Sequence, residues 1–83
     1  MREINTIGII MLFNGTKAPE GWLPCDGRVL KVNEYQALYS VLGDKFGANH
    51  PYAATEFNLP KLPNIGSCMQ MICVSGEYPS RPY

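Results

Sequence analysis

The sequence predicts a small α+β domain, built from short β-strands and hairpins with one helix at about residues 34–42. Three observations lead there. Gly and Pro together make 15 of 83 residues, well above ordinary usage, which favours turns and extended pieces over helix. Two apolar runs rich in β-formers, Ile7 to Phe13 and Cys68 to Val74, read as strands. A single stretch, Tyr35, Leu38, Tyr39 and Leu42, repeats at the i, i+3, i+4, i+7 spacing of one helix face.

The first run stops at Asn14-Gly15, a strong turn dipeptide, and reads as a buried strand. Thr16 to Gly21 is a polar loop. Trp22 to Cys25 and Arg28 to Leu30 then flank Asp26-Gly27, the pattern of a hairpin in which Gly27 takes positive φ. Pro24 cannot donate a ladder hydrogen bond, so its strand belongs at an edge. Asn33 and Gln36 have capping-box spacing at the helix start, and Gly43 fits the stop. Ala48 to Glu56 is a loop containing Pro51. Phe57 to Pro63 alternates apolar and polar and is held extended by its prolines. Pro60 to Pro63 spells P-x-x-P, but among apolar neighbours it reads as a stiff edge segment rather than a signalling ligand. Glu77 to Tyr83, with Pro79 and Pro82, reads as an extended surface tail. The whole of 1–83 is one domain, with 77–83 as that tail.

Composition narrows the function classes. Seven basic and seven acidic residues cancel, and the basic ones are spread along the chain rather than gathered into a nucleic-acid face. The longest apolar run is far shorter than a membrane-spanning helix, and the mixed charges of Arg2 and Glu3 do not suit a signal peptide. The 46% apolar content is that of a chain that folds. Burying the apolar surface of 83 residues gives on the order of 125 kcal/mol, if about 5,000 Å² stays exposed. Ordering the chain costs about the same. Such a domain has little margin and gains from a partner.

Chemistry-bearing residues are sparse. Cys25, Cys68 and Cys73 are an odd number, which argues against a disulfide framework. With His50 they make a formal zinc set, yet no C-x₂-C pair exists, so no metal is expected. His50 is the lone histidine, in an Asn49-His50-Pro51 loop without a nucleophile motif, and the acids are scattered. No glycine-rich phosphate loop occurs. The residues read as a non-enzymatic structural or binding module with no cofactor.

One string is more specific. Ala18-Pro19-Glu20-Gly21-Trp22-Leu23-Pro24-Cys25-Asp26-Gly27, preceded by Gly8-Ile9 and Phe13, resembles the opening of the phage tail collar domain family. Tyr35, Leu38, Leu42-Gly43, Phe46-Gly47 and Phe57-Asn58-Leu59-Pro60 follow in that family's order. Met71 to Arg81 resembles the closing strand and Gly-x-x-Pro-Ser-Arg tail of the related microcystin-dependent proteins. The chain departs from the family at Lys61 and Pro63-Asn64-Ile65-Gly66. It also lacks the insertion that often carries receptor- or metal-binding loops.

The resemblance implies a virion structural protein of a phage tail, as collar, tail fibre or tail-tip component, made in the bacterial host cytoplasm. It would form a homotrimer and dock on other tail or fibre proteins. Pro19, Gly21, Trp22, Cys25, Asp26, Gly27, Phe57, Leu59 and Pro60 then serve folding, with Trp22 expected over the core. Tyr78, Pro79, Arg81 and Tyr83 have the composition of an interface. Two alternatives stand beside this. One is a host-surface receptor or glycan module of a tail fibre using Trp22, Tyr52 or Tyr78. The other is a bacterial stand-alone protein of the microcystin-dependent kind.

Overall fold

The computed structural model describes residues 5–50 and 53–79. Five strands and one helix run in the order β1 (Ile10–Phe13), β2 (Trp22–Pro24), β3 (Val29–Lys31), α1 (Gln36–Leu42), β4 (Glu56–Asn58) and β5 (Met69–Cys73). β5 is the middle of a three-stranded antiparallel sheet, β1-β5-β2. β3 and β4 form a separate antiparallel pair. The small α+β character therefore holds.

The core joins the two sheets and the helix. Leu38 of α1 packs with Leu30, Phe57 and Leu59, and with Ile7, Cys25 and Ile72 from the larger sheet's side. Tyr35, Tyr39 and Leu42 pack against this cluster from the same helix face. The Tyr39 and Phe57 rings tilt together with centroids 5.2 Å apart. Gly43 ends the helix at φ 61°, its N–H donating to the Tyr39 carbonyl, a backbone that glycine adopts without strain.

Four expectations are corrected. β1 is not buried: it is an outer strand, and most of its side chains are exposed. Its start is delayed because Ile7-Gly8 turns, with the Ile9 N–H bonding the Thr6 carbonyl and Gly8 at φ 97°. Gly8 and Ile9 then both bond Cys73, a G1-type bulge. Asp26-Gly27 does not close a hairpin, because β2 pairs with β5 while β3 pairs with β4. Gly27 does take positive φ, 81°, but the turn carries the chain from one sheet to the other. Finally, the helix begins at Gln36 with Tyr35 as N-cap and no side-chain cap bond. Lys31 and Val32 carbonyls accept from the Glu34 and Tyr35 N–H groups, so Asn33 lies inside a turn rather than at the cap.

Pro24 sits where its missing N–H costs nothing. Cys25 N–H bonds Gln70 carbonyl and Val74 N–H bonds Gly21 carbonyl. By antiparallel alternation Leu23 and Ile72 form the hydrogen-bonded pair between them, and the Pro24 nitrogen faces outward. The edge position read from Pro24 is confirmed.

Candidate functional site

The most specific string in the sequence, Pro19 to Gly27, is built as a hinge between the two sheets. Pro19 supplies the carbonyl that accepts the Trp22 N–H, 3.1 Å away. Gly21, at φ 90°, gives its carbonyl to both Val74 and Ser75 N–H groups. A Cβ there would lie 3.6 Å from the Ser75 carbonyl oxygen, so it is the positive φ rather than crowding that demands glycine. The chain leaves this turn as β2.

Alternation along β2 then decides which side chain faces inward. Leu23 packs on the core and Cys25 joins it, while Trp22 is half-buried and stands outside the core cluster. The expectation that Trp22 covers the core is therefore corrected: strand pairing with Ile72 turns Leu23 inward, and its neighbour must face the other way. Trp22 instead lines a cleft of about 290 Å³ with Thr16, Lys17, Pro24, Arg28 and Met69.

Beyond Cys25 the string is fixed by polar contacts. The Asp26 carboxylate accepts from the Arg28 backbone N–H at 3.1 Å and from its guanidinium at 3.1 and 3.0 Å. The Arg28 side-chain hydrogen bond holds the Asp26 carboxyl below its ordinary range, against the opposing pull of burial. Burial pushes the Cys25 thiol up, and the Asp26 charge adds to the effect. A raised thiol pKa leaves less thiolate, so Cys25 acts as a small buried hydrophobe rather than a nucleophile. Cys73, also buried, donates to the Ser75 carbonyl at 3.4 Å.

Phe57, Leu59 and Pro60 belong to the same assembly. Phe57 and Leu59 are wholly buried, and the Pro60 carbonyl accepts the Gly27 N–H. Leu62 N–H returns to the Cys25 carbonyl. The F-x-L-P segment is thus the surface on which the Cys25-Asp26-Gly27 crossing lies. Among the described residues no three of His, Cys, Asp and Glu converge to hold a metal ion.

The tail residues divide. Glu77 is bonded to Asn5 and Ile7 through its backbone, so the tail begins as part of the fold rather than as a separable end. Tyr78 is exposed, and its hydroxyl lies 2.7 Å from Ser40 Oγ on α1. Pro79 is half-buried. Arg81 and Tyr83 lie outside the described residues, as does Tyr52.

Sequence reasoning missed the exposure of the first strand. Ile9, Ile10, Met11 and Leu12 are 44%, 40%, 51% and 50% exposed. Gly8 abuts Val41 of α1, itself exposed. The exposed apolar residues of β1 alternate between its two faces, Ile10 and Leu12 on one and Met11 on the other. An apolar run alone does not say whether a strand is central or outer, so only pairing could reveal it.

Comparison with known proteins identifies the family. The family model of the phage tail collar domain matches residues 8–64. The chain belongs to that family. The match takes in the hinge string, α1 and the F-x-L-P segment, and ends before β5, the strand on which β1 and β2 both pair. Protein RhiB of Rhizobium leguminosarum bv. viciae is 44% identical over 41 residues, which is 49% of this chain and 19% of RhiB. The chain thus spans less than a fifth of that relative's length. No solved structure matches. Collar-domain membership points to a structural role of the phage-tail-fibre type.

Proposed function

We propose that this collar domain is a structural component of a phage tail, in the collar, fibre or tip, which self-associates and docks on a larger tail assembly. The observation that carries the reading is the family match over 8–64, joined to an outer strand whose residues Ile10, Met11 and Leu12 are exposed and apolar. Single exposed apolar residues are ordinary, whereas a run of them along an uncharged outer strand suits a contact. Three copies is the state the resemblance implies.

The test combines absolute mass by light scattering with location of the chain in intact particles by electron microscopy. An oligomer in solution and density in the tail are expected. A monomer at every concentration, together with absence from particles, sinks the reading. Absence from particles, with the gene expressed in a bacterium, would favour the stand-alone microcystin-dependent kind, and the bacterial source of RhiB gives that alternative its footing. A receptor or glycan role rests on Trp22 beside Lys17 and Arg28 in the 290 Å³ cleft. Loss of host binding by assembled Trp22→Ala particles would put that role in place of a purely structural one.

A further inference from the structure

The flank that Pro24 closes to strand addition carries a cleft with the mixed chemistry of a ligand site. Trp22, Pro24 and Met69 supply apolar wall, and Thr16, Lys17 and Arg28 bring polar groups to the same space of about 290 Å³. That is the small end of the range for ligand pockets, room for one ring rather than a long chain. Trp22 is only half-buried, so part of a large aromatic side chain is left for something to cover. The charge of the cleft is one-sided. Among the described residues no Asp or Glu lines it, and Lys17 has no ion-pair partner. Asp26 takes the Nε and Nη2 groups of Arg28, which fixes the planar guanidinium and leaves its Nη1 donors uncommitted.

We propose that this cleft binds a carboxylated sugar ring, a uronic-acid unit of a surface saccharide. This rests on the receptor reading above and gives its ligand a chemistry. A pyranose carries C–H groups on its face and hydroxyls around its rim, which suits an aromatic wall bordered by donors. Its carboxylate would meet Lys17 and the Nη1 of Arg28 in charge-assisted hydrogen bonds. Because Asp26 already neutralises Arg28, Lys17 gives the cleft its net positive charge.

Two observations favour a sugar over an acidic peptide, which shares the carboxylate. A peptide carboxylate sits on a flexible stem with no flat apolar face to lay on Trp22. An extended peptide on this flank would also bond the backbone of β2, and the outward position there belongs to Pro24, which has no N–H. The cleft thus favours a ligand held by side chains. All of its lining residues belong to one chain, so the site does not depend on how many copies assemble.

The test titrates the full chain with tri-galacturonate and follows the emission of Trp22, the single tryptophan of the sequence. NMR shifts of the Thr16 and Met69 amides are read alongside. Saturable changes in both are expected, and added salt should weaken them. Lys17→Ala, a change in an exposed loop, should raise the dissociation constant by about tenfold or more. The uncharged methyl ester of the same trimer should bind more weakly by a similar factor. An ester that binds as tightly as the acid overturns the inference and leaves a receptor role for a neutral sugar standing. Tighter binding of a glutamate tripeptide overturns it in favour of an acidic protein partner. No response to the acid trimer also overturns it, and host binding by the Trp22→Ala particles then decides the receptor reading separately.

Discussion

β1 and β2 flank the same central strand, and the chain treats the two flanks differently. On β2 the outward backbone position belongs to Pro24, and the strand lies in a cleft wall with Lys17 and Arg28 beside it. On β1 the outward positions belong to Ile10 and Leu12, with full backbone donors and apolar side chains half exposed. A proline and neighbouring charge are devices that stop further pairing, and their absence leaves a template for it. One flank of the sheet is closed by a proline and the other keeps its outward backbone groups.

The central strand should show the largest effect, because both flanks lean on it. Ile72 is fully buried and pairs with Ile10 on one side and Leu23 on the other. Ile72→Ala should cost about 2–5 kcal/mol, as aliphatic truncations in cores do. Trp22→Ala, a larger truncation, should cost only about 1 kcal/mol because the side chain is half-buried. Denaturant melts of both variants test the pair. A Trp22 loss as great as that of Ile72 would return the tryptophan to the core and remove the cleft.

How much of this was legible in the residues depends on whether local pattern or distant pairing decided the outcome. The face Tyr35, Leu38, Tyr39 and Leu42 was legible because helix contacts are set by spacing alone. Pro24 told its own position, since a missing N–H is tolerated at few sites. The hairpin at Asp26-Gly27 was not legible: the dipeptide fixes a turn and a positive φ, but the partners of the flanking strands lie 25 to 51 residues away. Trp22 failed for a related reason. Period-two alternation puts either Trp22 or Leu23 inside, and pairing with Ile72 decides between them. The exposure of β1 was hidden because a buried strand and an outer strand can share one composition. Arg28 left a signal, an Asp-x-Arg spacing in which carboxylate and guanidinium meet around one turn.

The closed flank can be opened. Pro24→Val supplies an outward N–H while leaving the bonds to β5 unchanged, and a β-branched residue suits the strand. Its stability should change by no more than about 1 kcal/mol. Its assembly should change more. With both flanks open, one copy's β1 can add to the next copy's β2, a head-to-tail contact that builds open chains. Light scattering should therefore show mass that grows with concentration beyond that of the unaltered chain. If the variant stops at the same mass, Pro24 is not what closes this flank.

The smallest effect concerns the charge beside that flank. Asp26 holds Arg28 through backbone and side-chain hydrogen bonds, and this keeps its carboxyl below the ordinary range. A depressed carboxylate contributes stability that is fully present above its unfolded pKa, about 3.9, and is lost as pH falls through the folded value. The window therefore lies below about pH 4, with no change near neutrality. Both side chains are nearly half exposed, so solvent screens the pair and its worth is below about 1 kcal/mol. Asp26→Asn should accordingly lower stability by a few tenths to about 1 kcal/mol at pH 7. It should also flatten the acid limb of a stability-against-pH curve. Asparagine can still accept the Arg28 backbone N–H, which separates the charge from the turn: an equal loss at pH 7 and pH 2.5 would show that the turn alone matters. A loss confined to neutral pH would assign it to the ion pair that holds Arg28 at the closed flank.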